Sequence, residues 1–215
     1  MRILYATVAL ATALPIAARA AGAQQPAAVE IALTTLLVDH HHTPADVGFP
    51  TLRGTAWGAV GRFRVQWLEL GAEYAQGTLG VVGEPRTGEL VEGRVTAGTR
   101  VTPWLLLRAG ARAYELSGTV DRRIVSWHLG SEVSFMLIPA VARGYGGLSA
   151  HLGGSVDSAD PLRGGAGGEV GLFLTVPTSP LWLSASYRFE RDGIMPAPGS
   201  DSAQRLLLAF GVRFG

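Results

Sequence analysis

Alternation with a period of two runs along almost the whole chain and constrains the fold more than any motif in it. In LVEGRVTAGTRV, Val91, Gly93, Val95, Ala97, Thr99 and Val101 share one face, while Glu92, Arg94, Thr96, Gly98 and Arg100 share the other. IVSWHLGSEVSFML sets Val125, Trp127, Leu129, Val133, Phe135 and Leu137 against Ser126, His128, Gly130, Glu132 and Ser134. Successive side chains point to opposite sides of a strand, whereas a helix repeats every 3.6 residues, so this pattern reads as strand. Strands are expected near 28–38, 53–63, 66–76, 88–101, 104–116, 123–138, 143–154, 166–177, 181–190 and 203–214, about ten in all. The first two rest on the weakest pattern: AVEIALTTLLV loses strict alternation at its end and TAWGAVGRF is rich in glycine. Eight strands behind an irregular N-terminal region is therefore the alternative.

The links between strands form a second pattern. DHHHTPADVGFP, GTLGVVGEPRT, SGTVDR, SVDSADPLRGG and RDGIMPAPGSDS are the longer ones. Between them come tight links around Arg64, Thr102-Pro103, Pro139-Ala140 and Pro177 to Pro180. Asp39, Asp46, Asp121, Asp157, Asp160, Asp192 and Asp201 all fall in or beside the longer links, and none falls in a tight one. Long links that alternate with short ones imply an antiparallel up-and-down sheet with both termini at the short-turn end.

Side-chain chemistry then decides which face points out. The chain is 47% hydrophobic and only 16% charged, too apolar for an ordinary water-soluble exterior. Beyond the first residues, no apolar run reaches the ~20 residues of a transmembrane helix. The polar faces of the strands carry mainly small residues, among them Gly71, Gly98, Gly110, Gly130, Ser134, Gly147, Ser149, Gly171 and Ser186. These suit a confined interior better than an open surface. The apolar faces place Phe63, Tyr74, Phe135, Tyr187, Phe189, Phe210 and Phe214 toward strand ends, where aromatic rings sit at a membrane–water boundary. The expected fold is all-β: a single closed antiparallel transmembrane β-barrel with apolar residues outside.

The N-terminus reads as a secretory signal. Arg2 precedes an apolar run to Ile16, and Ala21-Gly22-Ala23 supplies a small-x-small cleavage site before Gln24. Residues 1–23 are thus expected to be removed, leaving one barrel domain over 24–215. With 18 basic residues, 17 acidic residues and no cysteine, the chain offers no disulfide framework and no basic excess for nucleic acid.

The final residues, RLLLAFGVRFG, place Leu206, Leu208, Phe210, Val212 and Phe214 on alternate positions, opposite Arg205, Leu207, Ala209, Gly211 and Arg213. This stretch resembles the C-terminal strand of bacterial outer-membrane β-barrel proteins, although its aromatic is penultimate, with Gly215 after it. The resemblance implies the outer membrane of a Gram-negative-type bacterium and insertion by the barrel-assembly machinery. It also implies partners in outer-membrane lipid and lipopolysaccharide.

Inside such a barrel would stand Arg62, Arg94, Arg100, Arg108, Arg112, Arg188, Arg205 and Arg213, facing Glu30, Glu69, Glu73, Glu92, Glu132, Glu169 and Glu190. Enclosed charges are tolerated only when paired, so near balance predicts a mutually neutralising network. Barrels of roughly eight strands are filled by side chains, and ten lies near that limit. The run His40-His41-His42 has metal-binding chemistry, but consecutive histidines on an extended chain diverge. Enzymes on such barrels include the ten-stranded omptin proteases and smaller lipid A deacylases. Against the latter, the candidate base and nucleophile pairs are His128 with Ser126 or Ser131, and His151 with Ser149, at spacings that depart from that family's. No catalytic, cofactor-binding or metal residue is assigned. The function expected is non-enzymatic: a small barrel serving structure, surface interaction or restricted passage. A narrow solute channel, an outer-leaflet lipid or peptide hydrolase and a soluble periplasmic carrier are the alternatives.

Overall fold

The structure, a computed structural model, describes residues 27–43, 51–118, 121–156, 160–194 and 199–215. The signal sequence expected over residues 1–23 lies outside them, as do Asp46 and Asp157. Ten strands make up nearly all of the rest: β1 (Ala28–Thr43), β2 (Leu52–Val65), β3 (Leu68–Val81), β4 (Thr87–Thr102), β5 (Leu105–Ser117), β6 (Arg122–Ile138), β7 (Ala142–Val156), β8 (Asp160–Thr175), β9 (Leu181–Ile194) and β10 (Gly199–Phe214). Each strand pairs antiparallel with its sequence neighbours, and β10 returns to β1 to close the barrel. The ten-strand reading holds and the eight-strand alternative does not: β1 and β2 pair continuously from Ala28 opposite Arg64 to His40 opposite Leu52.

The strands outrun their expected ends at the edge opposite the tight turns. DHHHT, DPLRG, RDGI and GSDS belong to β1, β8, β9 and β10 rather than to loops. Aspartate, histidine and glycine have little preference for strands. Here a neighbour's ladder already offers their backbones partners, as where Asp39 faces Gln204 and Asp201 faces Asp192, and pairing overrides propensity. The contrast in link length shrinks accordingly, since residues 195–198 join β9 to β10 while 176–180 join β8 to β9. At the other edge, Gln66, Ala140 and Thr178 turn the chain at φ of 49°, 60° and 64°. The first tight turn is therefore made at Gln66-Trp67, and Arg64 is a strand residue of β2.

Most side chains face as the alternation requires. Leu33 is 75% exposed, Trp57 68% and Phe214 55%, whereas Arg205 is 1% exposed and Glu190 2%. Leu206, Phe210 and Val176 point out, and the Arg94 and Glu132 side chains are largely enclosed. Phe63 departs from the expected aromatic belt, because it is buried.

Along the barrel axis the pattern reverses. From the tight turns upward, the first charged or amide side chains on the outer face form a ring: Asp39, Arg53, Gln76, Glu89, Glu115, Arg123, Arg191 and Gln204. Below the ring, no outward-facing side chain among the described residues is charged, and this belt is about as tall as the 9–11 residues that cross a bilayer. Level with the ring and above it, the interior is largely apolar, with His40, Arg122, Asp192 and Asp201 as its charged or titratable members. Leu36, Val38, Leu52, Ala56, Leu79, Val81, Leu90, Leu116, Ile124 and Leu162 pack there as one cluster with Tyr114. The loss of strict alternation in β1 is this reversal seen in sequence, with Leu36 and Val38 turned inward and Leu37 turned out.

Candidate functional site: the barrel interior

All fifteen charged residues expected inside face the interior, and the structure adds Arg64, Arg122, Arg143, Asp192 and Asp201. The centre of the network is Glu190. It accepts hydrogen bonds from Arg94 and, at 2.6 Å, from Arg205, and it pairs with Arg112 at 2.9 Å. Glu92 lies beside it, accepting from Arg112 Nε at 3.1 Å and pairing with Arg205 Nε at 3.1 Å. Arg188 donates twice to Glu73, at 2.8 and 3.2 Å, and once to Glu169 at 3.0 Å. Such forked, charge-assisted pairs fix the geometry of both partners, although Arg94 Nε, Arg112 Nη2 and Arg205 Nε are buried without a hydrogen-bond acceptor.

Glycines make room for this packing. A Cβ on Gly171 would come within 2.5 Å of the Tyr145 phenol, whose hydroxyl donates to Glu169 at 3.2 Å. A Cβ on Gly110 would come within 2.8 Å of the His128 ring. Two cavities at this level measure about 40 Å³ each, room for a few water molecules.

Toward the apolar cluster, carboxylates meet histidine and tyrosine. His40 Nε2 lies 2.6 Å from Asp201, which also accepts the Tyr114 hydroxyl. His151 pairs with Asp192, and its ring centroid is 6.3 Å from that of His128. Toward the tight turns, Arg108 donates to Glu132 at 3.2 Å, Arg64 to Glu69 at 2.9 Å and Arg213 to Glu30 at 2.8 Å. The overall charge balance therefore hides a separation by depth. Arg62, Arg64, Arg100, Arg108, Arg143 and Arg213 outnumber Glu30, Glu69 and Glu132 at the turn end. Glu73, Glu92, Glu169, Glu190, Asp192 and Asp201 outnumber Arg94, Arg112, Arg122, Arg188 and Arg205 above it, by a narrower margin.

The candidate catalytic pairs do not assemble. Ser126 and His128 share the inner face of β6, and Ser149 and His151 that of β7. Residues two apart on a strand stand roughly 6.5 Å apart, so their side chains do not meet head to head. Neither serine is hydrogen-bonded to an imidazole among the described residues, and Ser131 faces the other side of the sheet. Within the histidine run, His40 turns inward, while His41 turns outward to Asp39 at 2.8 Å and to the Thr51 hydroxyl at 3.1 Å. Among the described residues no group of three histidine, aspartate or glutamate side chains is arranged to hold a metal ion.

Five charged residues of the interior were not on the expected roster, Arg122 among them because it precedes the expected start of β6. Arg143 has the same parity in β7 as Ser149 and His151, so alternation alone would have placed it inside. Asp192 and Asp201 continue the inner parity of Glu190 and Arg205, but their residue type suggested loops. Arg64 was assigned to a turn that in fact lies two residues further on.

No protein-family model matches the chain, and no curated protein matches it in sequence. Solved structures resemble it in shape. The outer membrane protease OmpT from Escherichia coli superposes with a TM-score of 0.52 at 8% identity, over 87% of this chain and 96% of that one. Neisserial surface protein A gives 0.40 at 14% identity, over 88% of this chain and 98% of its own. Ail, the attachment invasion locus protein of Yersinia pestis, gives 0.40 at 12%, over 88% and 100%. With its ten closed antiparallel strands, uncharged outer belt and enclosed ion pairs, the chain has the fold of the bacterial outer-membrane β-barrel proteins. Within that class it is a small barrel, ten strands around a filled interior.

Proposed function

We propose that this is a non-enzymatic outer-membrane barrel with a closed lumen, whose work is done where its polar upper wall and loops meet the outside of the cell. The observation that carries the reading is the reversal along the axis. An uncharged outer belt of bilayer height is surmounted by a wall that is polar outside and apolar within, as a water-exposed barrel would be. That wall lifts the loops clear of the membrane, which suits contact with external surfaces and with lipopolysaccharide at its foot. The apolar cluster and the ion-pair network stand in series across the lumen, and each opposes passage: one excludes water and ions, the other leaves only cavities of about 40 Å³. The buried histidines and serines lie within this closed interior, away from any lipid or peptide, which favours a structural role for them over hydrolysis.

In this reading residues 1–23 are a cleaved export signal, assembly is by the barrel-insertion machinery, and Ala28 and Phe214 sit at the periplasmic edge. The test is paired. Cell fractionation should recover the protein in the outer membrane, with faster gel mobility before boiling than after. The refolded protein in planar bilayers should be electrically silent. Recovery from the periplasm without detergent would overturn the membrane placement, and steady unitary conductance would overturn the closed lumen in favour of a narrow channel.

A further inference from the structure

At the tight-turn end the barrel opens into a cavity of about 700 Å³ lined by Arg64, Arg143 and Arg213 above an aromatic floor of Phe173 and Trp182. No aspartate or glutamate side chain lines it. Glu30 lies behind the arginines, its side chain only 2% exposed and committed to Arg213 at 2.8 Å. The two rings of the floor are stacked with centroids 4.8 Å apart. Above Phe173 stand two guanidiniums, Arg143 at 5.1 Å and Arg213 at 5.4 Å. Aromatic faces attract cations, but bringing two like charges to one ring adds repulsion that an aromatic ring alone does not offset. Arg143 has no carboxylate partner among the described residues, and its buried Nε has no hydrogen-bond acceptor. The buried indole N–H of Trp182, on the same cavity, also lacks one.

We propose that this mouth binds a phosphate-bearing anion, held chiefly by Arg143 and Arg213 with Arg64 at the side. The shape of the site supports the ligand class. A tetrahedral oxyanion can accept from several guanidiniums at once, and forked donation to phosphate is where arginine exceeds lysine. It would also offset the excess of arginine over glutamate at this end of the interior. The same chemistry has two sources, a free phosphorylated solute and the headgroup of a membrane lipid whose chains lie along the apolar rim.

The test uses the full refolded chain in a phosphate-free neutral detergent. Inorganic phosphate is titrated in by calorimetry, and phosphatidylglycerol against phosphatidylcholine is scored by native mass spectrometry. Arg143→Gln should weaken binding at least about tenfold, the scale of one lost charge-assisted hydrogen bond. Arg53→Gln, on the outer face of the upper wall, should leave it unchanged. Arg213→Lys, which keeps the charge but loses the fork, serves as the second variant and should weaken binding in the same direction even if Arg143→Gln fails to refold. Binding of inorganic phosphate identifies a solute site, and selective retention of phosphatidylglycerol without phosphate binding identifies a headgroup site. Binding of neither, or binding that both variants leave unchanged, overturns the proposal. A silent bilayer recording bears only on the closed lumen and leaves this test intact.

Discussion

The two halves of the barrel wall solve opposite problems with the same strands. In the lower belt Leu33 and Phe210 face outward and the interior holds arginine and glutamate. In the upper wall Glu115 and Arg123 face outward, while Leu116 and Ile124, their immediate neighbours, are packed inside. Between β5 and β6 no break in the ladder separates the two, since pairing runs from Leu105 opposite Val133 to Leu116 opposite Arg122. Backbone hydrogen bonding therefore carries no information about the surroundings. The side chains alone record where apolar surroundings give way to water. Hydrophobic burial holds the upper wall together from within, as in any water-soluble core. In the belt, paired charges fill most of the interior, beside a smaller apolar cluster of Ala32, Val60, Phe173, Trp182 and Ala209.

The largest expected effect tests that division at its most loaded point. Glu190→Ala would strip Arg94, Arg112 and Arg205 of a shared carboxylate and leave enclosed guanidinium charge uncompensated. Breaking a buried pair from one side costs about 3–5 kcal/mol. Urea unfolding in phospholipid vesicles should show a loss of that size. A loss below about 1 kcal/mol would mean that the belt interior is open to bulk water and its ion pairs screened, unlike the enclosed network described above.

Much of this arrangement was legible in sequence, and what was missed has physical causes. Inward placement of Glu92, Arg94, Glu132 and Arg188 followed from parity, because a strand permits only two directions. Strand ends were missed where residue type and partner disagree: His40 and Asp201 look like loop residues in isolation and become strand residues by pairing across β1 and β10. The reversal of pattern was visible only as disorder in the alternation of AVEIALTTLLV. Two leucines in succession, Leu36 and Leu37, satisfy different surroundings, which no single periodicity expresses. The candidate histidine and serine pairs showed the converse limit. Their residues and faces were right, yet spacing along a strand says nothing of whether two side chains touch.

The next two changes compare the halves directly. Leu33→Arg puts a charge on the outer face of the belt, where arginine near a bilayer midplane costs about 2–4 kcal/mol. The same vesicle unfolding measurement reads it, and a neutral result would deny the belt its lipid. A smaller loss is expected from Ile124→Val, which removes one methyl from the apolar interior of the upper wall. Such a change typically costs about 0.5–1.5 kcal/mol in a packed core. Ile31→Val, an exposed belt position, should cost less in a parallel measurement. Equal losses would remove the difference in packing between the upper interior and the outer face of the belt.

The smallest effect locates the boundary. Thr78 in β3 is exposed on the outer face of the upper wall, directly opposite Glu89 of β4. Thr78→Arg adds the same charge as Leu33→Arg to the same sheet, beside a carboxylate and above the uncharged belt. A surface substitution of this kind should stay within about 0.5 kcal/mol of the parent. The contrast between the two arginines is the informative quantity, because the incoming side chain is the same and the surroundings differ, apolar at Leu33 and beside Glu89 at Thr78. A cost at Thr78 matching that at Leu33 would raise the membrane edge above the ring of Gln76 and Glu89. Indifference at both positions would turn the whole exterior toward water, and the reversal along the wall would then need a cause other than lipid.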